Sequence, residues 1–160
     1  MDDPVDETVQ KTSLIGLSRE QLRAALVHAG VPEKQLRMRT NQLWSWIYAR
    51  GATQWEAMSD VSKGLRTTLS EAYTLDRLEV ADAQFSDDGT RKYLFRLADG
   101  QLVETVYIPE VGRGTLCVSS QVGCTLTCRF CHTGTQKLVR NLTIAEIVGQ
   151  MVAVRDDLQD

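Results

Sequence analysis

The sequence has no long hydrophobic segment: no apolar run approaches the roughly 20 residues that a membrane-spanning helix needs. It also has no secretory signal, because its first residues, MDDPVDETVQK, are acidic and polar. A net charge of −3 excludes a globally basic protein, although a local basic patch for nucleic acid stays compatible with it. Hydrophobic residues make up 42% of the chain, enough to build a core, so we expect a soluble cytoplasmic protein that binds no membrane.

Cysteine is scarce and confined to one region. The four cysteines all lie within residues 117–131, too clustered for a disulfide framework and better suited to a metal site in a reducing compartment. Cys124, Cys128 and Cys131 follow the spacing Cys-x3-Cys-x2-Cys. Three thiolates can hold three corners of a cubic iron–sulfur cluster, whereas ordinary electron-transfer clusters use four cysteines. The fourth iron would be open to a chelating substrate, so this spacing favours catalysis over electron storage.

A structural zinc site that also uses Cys117 is the alternative. Zinc sites usually combine two separated Cys-x2-Cys pairs, and here Cys128 and Cys131 form a single such pair. His132 could replace a cysteine as a ligand, but the triad is complete without it. The spacing therefore favours an iron–sulfur cluster over zinc.

Four stretches of the sequence resemble the bacterial RlmN family: VETVYIPE (103–110), LCVSSQVGC (116–124), CRFCHTGTQ (128–136) and RNLTIAEIVGQ (140–150). RlmN enzymes are radical S-adenosylmethionine methyltransferases that install 2-methyladenosine in 23S ribosomal RNA and in transfer RNA. The resemblance implies a 4Fe-4S cluster and S-adenosyl-L-methionine as cofactors, with a 5′-deoxyadenosyl radical and a methyl-cysteine intermediate. It also implies a monomer whose partners are 23S rRNA, tRNA and an electron donor such as flavodoxin.

The same resemblance gives roles to three further side chains. Glu104 lies among apolar residues of a predicted strand, where it could simply face solvent, but the matching RlmN glutamate is a proton acceptor near the target adenine. Cys117 would by default be a buried structural cysteine. Its RlmN counterpart forms a disulfide with a C-terminal, methyl-carrying cysteine that has no counterpart in this chain. Phe130 is expected beside the cofactor or the cluster, with packing under the loop as its alternative.

Two other functions are compatible with these residues. The first is a Cfr-like methyltransferase, which modifies carbon 8 of adenine in rRNA by related chemistry. The second is a non-catalytic RNA-binding fragment with a metal site. Basic residues of the helical part could contact phosphates or form a solvated face: Arg37, Arg39, Arg50, Lys63 and Arg66. Three tryptophans could stack on bases, although the helical spacing of Trp46 favours the core.

The predicted fold is an α+β fragment in four parts. Residues 1–16 form a disordered tail, 17–75 a helix-hairpin-helix-like accessory domain, 76–110 an antiparallel β meander, and 111–160 the truncated start of a radical SAM core. That core would contribute the first β/α unit of a partial (β/α)6 barrel. At 160 residues the chain cannot hold both an accessory domain and a whole barrel. We therefore expect the N-terminal portion of an enzyme, inactive on its own.

Local signals place the individual elements. Capping boxes at Ser18 with Gln21, and at Thr143 with Glu146, mark the starts of two helices. Two more helices are predicted at about 40–49 and from about residue 59, and strands at about 78–85, 90–97 and 101–108. The segment 115–119 is predicted as the first barrel strand, without a partner in this chain.

Overall fold

The computed structural model describes residues 11–125 and 136–159, and it divides into two compact units, Met1–Asp76 and Arg77–Asp160. The first unit contains β1 (Thr12–Ser13), α1 (Arg19–His28), α2 (Glu33–Trp44), a π-helical turn (Ser45–Ala49), a 3-10 turn (Trp55–Ala57), α3 (Lys63–Ala72) and β2 (Tyr73–Thr74). The second contains β3 (Glu79–Phe85), β4 (Arg91–Arg96), β5 (Leu102–Glu110), β6 (Arg113–Cys117), β7 (Gln121–Val122), β8 (Arg140–Asn141) and α4 (Ile144–Gln159).

The capping box predicted at the start of α1 is confirmed. The Ser18 hydroxyl accepts a hydrogen bond from the backbone N–H of Gln21 at 3.2 Å, and the Gln21 side chain accepts one from the Ser18 N–H at 2.8 Å. These bonds satisfy N–H groups that have no partner inside the helix. One face of α1 then buries Leu22, Ala25 and Leu26 in the core of the first unit.

The second helix starts earlier than predicted, at Glu33 rather than near Thr40. Pro32 occupies its N-cap, where the missing N–H breaks no helical hydrogen bond. The helix continues into the π-helical turn and ends at Ala49, before Gly51, which adopts a φ of +68°. Glycine is favoured in this left-handed conformation at helix ends, so the predicted stop is confirmed.

The predicted disordered tail is too long. Within it, β1 pairs in parallel with β2, which follows α3. Leu14 and Ile15 come directly after β1 and are 0% and 2% exposed. Two residues are too few to show a period, so the sequence alone gave no strand signal there. The first unit is otherwise helical, and its helix-hairpin-helix character stays a prediction.

The second unit contains a four-stranded antiparallel sheet in the order β3-β4-β5-β6. Its first three strands confirm the predicted meander. The fourth strand, β6, was predicted as an unpartnered first strand of a parallel barrel, and this prediction is wrong. It pairs with β5 from Glu110↔Arg113 to Val106↔Cys117. A two-residue turn containing Gly112, with φ +76°, joins the strands, and so short a connection permits antiparallel pairing alone.

The helix α4 closes the second unit over the sheet. The predicted capping box is confirmed, since the Thr143 hydroxyl accepts from the Glu146 N–H at 3.2 Å and the Glu146 carboxylate accepts from the Thr143 N–H at 2.8 Å. Its buried face consists of Gly149, Gln150, Val152 and Val154. The core around it combines residues of β4, β5, β7 and the helix with two residues that directly follow β4 and β8: Tyr93, Phe95, Leu97, Val103, Val122, Leu142 and Val154.

Within residues 11–125 and 136–159, no helix combines the length and the apolar character needed to cross a membrane.

Candidate functional site

Glu104 lies on β5 and points away from the buried core. Its neighbours Val103 and Thr105 are 4% and 1% exposed, and alternate residues of a strand face opposite sides. The Glu104 carboxylate is 36% exposed and lies 2.6 Å from the ammonium nitrogen of Lys92 on β4. Glu104 is therefore a half-exposed carboxylate with a fixed cationic partner.

Cys117 is the last residue of β6 and has an exposed thiol. It stands opposite Val106 in the β5–β6 ladder, and Val106 lies two residues after Glu104. Directly opposed residues, and residues two apart on one strand, project from the same face of a sheet. Cys117 and Glu104 therefore share one face, and Cys117 does not take the buried position that is the default for a free cysteine.

The chain around Cys124 is held by what we call the loop base, which consists of residues 121–124 and 136–141. β7 and β8 pair there, the Val139 N–H donates to Val122 O at 2.8 Å, and the Cys124 N–H donates to Gln136 O at 3.2 Å. Cys124 itself is half-buried. The loop base brings together the two described ends of the cysteine-rich segment.

The remaining residues of the predicted cluster site lie between those ends. Cys128, Phe130, Cys131 and His132 fall outside the described residues. Among residues 11–125 and 136–159, no group of three or more histidine, cysteine, aspartate or glutamate side chains is placed to hold a metal ion.

A cavity of about 180 Å³ joins the strand of Glu104 to the loop base. Its walls come from β4, β5, the segment after β6 and both ends of the loop base: Leu94, Leu102, Val103, Glu104, Ser119, Gln121, Gly123 and Gln136. Glu104 thus faces the same space as the residue that precedes Cys124. Cys117 and Cys124 are not among the described residues that line it.

Comparison with known proteins places the chain in a family. Residues 12–75 match the family model described as the ribosomal RNA large subunit methyltransferase N-terminal domain, RlmN_N. The chain is 61% identical over 148 residues to a protein of Jannaschia sp. (strain CCS1) named dual-specificity RNA methyltransferase RlmN, with 92% of this chain and 38% of that protein covered. A protein of the same name from Cereibacter sphaeroides (strain ATCC 17029 / ATH 2.4.9) is 62% identical over 146 residues, covering 91% and 37%. The chain belongs to the RlmN family.

A solved structure agrees with this placement. The crystal structure of a radical SAM methyltransferase from Sphaerobacter thermophilus matches with a TM-score of 0.80 and 40% sequence identity, covering 92% of this chain and 42% of that one. This chain spans about two fifths of the length of the RlmN relatives it matches. The mixed α/β architecture of the described residues is thus that of part of such a protein.

The RlmN-like loop base is tied to α4 by one arginine that sequence reasoning missed. Arg140 donates to Asp99 at 2.8 Å and to both carboxylate oxygens of Glu146 at 2.7 and 2.9 Å. Hydrogen bonds from Arg140 are the largest cause that lowers the pKa of each of these two carboxyls. The resemblance had included Arg140 within RNLTIAEIVGQ, but a sequence pattern does not name a residue's partners.

The RlmN N-terminal domain presents a basic groove on α2. The groove has a volume of about 580 Å³, and its lining residues are Lys34, Arg37, Met38, Asn41, Gln42, Ser45 and Asp60. Lys34 and Arg37 are exposed, and Met38, the residue after Arg37, is 49% exposed. Of the predicted phosphate contacts, Arg37 therefore lies in a concave surface that also offers apolar area.

Three other basic residues of this domain have partners inside it. Arg39 donates to the Asp60 carbonyl at 3.1 Å, and Arg66 donates to the Glu56 carbonyl at 2.8 Å. Arg50 lies 4.2 Å from the centre of the Trp46 ring. Trp46 is half-buried rather than in the core, and its indole N–H donates to the Asp60 carboxylate at 2.6 Å. These contacts stabilise the domain. Lys63, the last of the predicted phosphate contacts, is exposed at the start of α3.

Proposed function

We propose that this chain contributes the cluster-binding loop and two reactive side chains to an RlmN-type radical SAM methyltransferase, which methylates carbon 2 of adenine in 23S rRNA and tRNA. The observation that carries the proposal is the cavity shared by Glu104 and the loop base. It puts a carboxylate next to the segment from which the cluster would be held. The named RlmN relatives support carbon 2 over the Cfr-like carbon 8.

The chemistry of the donor set fits a 4Fe-4S cluster. Cys124 is half-buried within the loop base, and Cys128 and Cys131 follow it in the sequence before Gln136. Cys124, Cys128 and Cys131 would hold the cluster through three thiolates, which would leave room for S-adenosyl-L-methionine beside it. A cluster held there would supply the electron for reductive cleavage of that cofactor. Phe130 would lie beside this pair of cofactors.

Glu104 would act as the proton acceptor. Its carboxylate is held by Lys92 on the neighbouring strand and faces a cavity rather than open solvent on that side. A positioned carboxylate within reach of a substrate proton is the arrangement that general base catalysis needs. The Lys92 ammonium would orient the Glu104 carboxylate towards the adenine bound in the cavity.

Cys117 would act as a thiolate nucleophile that releases the product. Its exposed thiol shares a face with Glu104. In this step the thiolate attacks the sulfur of the methyl-carrying cysteine, so that a disulfide forms as the carbon–sulfur bond to RNA breaks. The transferred carbon, which is now attached to the RNA, keeps the electron pair of the broken bond and takes up a proton. The second cysteine is not part of this sequence, whose four cysteines all lie within residues 117–131.

Anaerobic reconstitution of the 160-residue chain tests the proposal. Bound iron and sulfide should each approach four per chain, and changing Cys124, Cys128 or Cys131 to Ala should abolish both. Cys117→Ala is the matched control and should retain the cluster, because Cys117 lies on β6, before the loop base. Loss of metal from the control, or zinc without sulfide, would support the four-ligand zinc site instead.

The remaining partners follow from the same proposal. The groove lined by Lys34 and Arg37 is a concave surface of the helical domain whose two exposed cations fit an RNA phosphate backbone. Replacing both residues by Ala should weaken RNA binding and reduce its salt dependence, as measured by titration at several salt concentrations. An electron donor of the flavodoxin kind and a monomeric state complete the proposed function.

A further inference from the structure

A fully buried amide lies in the second unit. Gln150 on α4 is 0% exposed, and removing its side chain from water is costly unless its hydrogen bonds are made. Its carbonyl oxygen accepts from the Thr105 hydroxyl at 2.7 Å and from the Ser119 N–H at 2.9 Å. Its amide nitrogen donates to the carbonyls of Ser119 at 2.9 Å and Glu146 at 3.1 Å. Both donors and both acceptor positions are therefore used.

Two of these bonds imitate the pairing of a strand. The Gln150 side chain accepts from the N–H and donates to the C=O of a single residue, Ser119, as a peptide group of a neighbouring strand would. Ser119 comes two residues after Cys117, where the β5–β6 ladder ends. If the register Val106↔Cys117 continued, Ser119 would stand opposite Glu104. Gln150 thus supplies backbone pairing just where the ladder stops.

Ser119 is also hydrogen-bonded to β5 through its own side chain. The Ser119 hydroxyl donates to the Glu104 carbonyl at 2.7 Å, and Thr105, which binds Gln150, directly follows Glu104 in the chain. Strand ends open readily when their last backbone groups lack partners. Here one side-chain amide connects the hydroxyl of Thr105, the residue after Glu104, with the backbone of Ser119, two residues after Cys117.

We propose that Gln150 is a positioning residue, which fixes Ser119 against β5 and thereby holds the Cys117 thiol in a set place relative to the Glu104 carboxylate. This inference rests on the proposed function, which gives Glu104 and Cys117 their roles. Packing alone would be served by methionine, which has a similar length and no hydrogen bonds to satisfy. The substitution Gln150→Met therefore separates positioning from packing.

The experiment uses the 160-residue chain with Cys124, Cys128 and Cys131 changed to Ser and a nitroxide on Cys117. Gln150→Met should make the nitroxide more mobile in its electron paramagnetic resonance spectrum. The substitution should also raise the hydrogen-exchange rate of the Ser119 amide. The increase should be at least about tenfold larger than the loss of stability of the variant alone predicts. The matched control is Val154→Ala, a 1% exposed position on the same helix, which should change exchange by no more than its lost stability predicts.

Two results would overturn the proposal. One is a Gln150→Met chain whose nitroxide mobility and Ser119 exchange follow stability alone, as in the control. The other result comes from the unsubstituted chain and so does not depend on whether a variant folds. It is that the side-chain amide protons of Gln150 exchange rapidly, or that they show no nuclear Overhauser contact with Ser119. Iron and sulfide uptake by the parent tests the proposed function separately, so failure of the cluster leaves the positioning result intact.

Discussion

At the scale of single residues, Gly123 closes the loop base. It adopts a φ of +74°, and a Cβ at this position would collide with the carbonyl oxygen of Lys137. The left-handed conformation alone costs a non-glycine residue roughly 1–2 kcal/mol. The collision with a backbone atom adds to that cost, because the carbonyl belongs to the opposite side of the loop base and cannot rotate away as a side chain can.

We therefore expect Gly123→Ala to lower the free energy of unfolding by more than the roughly 1–2 kcal/mol of the conformation itself. Gly100→Ala is the matched control, because Gly100 has a φ of +81° and nothing within 4 Å of the added Cβ. Urea unfolding of both variants gives the comparison. Equal losses at the two positions would mean that the loop base opens without cost at Gly123.

Arg140 makes stability depend on pH. Its hydrogen bonds lower the pKa of Glu146 and Asp99 below the ordinary values. For a carboxyl whose folded pKa is depressed, the stabilisation is present above the unfolded pKa of about 4 and disappears as pH falls through the lower folded value. The contribution of these pairs is therefore full at neutral pH and absent in strong acid.

The variant Arg140→Gln should accordingly be less stable than the parent at about pH 7, and the difference should shrink at about pH 3 and below. Thermal unfolding across this range measures it. Arg96→Gln is the control, because its partner Glu79 is 64% exposed and such surface pairs contribute little. A difference that stays constant with pH would show that Arg140 acts through packing instead.

At the scale of elements, the start of α4 depends on its cap. Thr143→Ala removes the hydroxyl that accepts from the Glu146 N–H and should cost about 1 kcal/mol. Thr143→Ser keeps the hydroxyl and should cost much less. Urea unfolding distinguishes the two, and equal losses would show that the methyl group of Thr143 rather than its hydroxyl stabilises the helix.

The elements also show which features a sequence can predict. Both capping boxes and the first three strands were predictable because their signals lie within a few residues: Ser18 with Gln21, Thr143 with Glu146, and the Asp-Gly turns. The pairing of β6 was not, since a two-residue period reports an extended strand but no partner. Gln150 was missed for a related reason: its burial depends on Thr105 and Ser119, which are distant in sequence.

The candidate site was predictable to a similar extent. The resemblance to the RlmN family singled out Glu104 and Cys117, and the structure puts both on one face of the sheet. The sequence could not predict that Cys117 is exposed or that Glu104 pairs with Lys92. Those properties come from the antiparallel register of β4, β5 and β6, which is set by contacts across the sheet.

At the scale of the whole molecule, we expect the 160-residue chain to form no 2-methyladenosine. In the proposed function the triad and Cys117 use all four cysteines, so none is left to carry the methyl group. Mass spectrometry of nucleosides after anaerobic incubation with RNA, reductant and S-adenosyl-L-methionine measures the product. The Cereibacter sphaeroides relative, of which this chain covers 37%, is the positive control. Product from the chain alone would mean that the cysteine roles are assigned wrongly.

Because the loop base pairs on both sides of the cysteine-rich segment, that segment can be deleted without removing the strands that flank it. The strands β7 and β8 flank it in antiparallel register, with Val122 opposite Arg140, so a short Asn-Gly hairpin turn could join them in place of the residues between them. The core residues Val122 and Leu142 lie on the retained side. Such a deletion would give a protein that cannot bind the cluster but keeps its helical domain and sheet. It would serve as the negative control for every property of the chain that is attributed to metal.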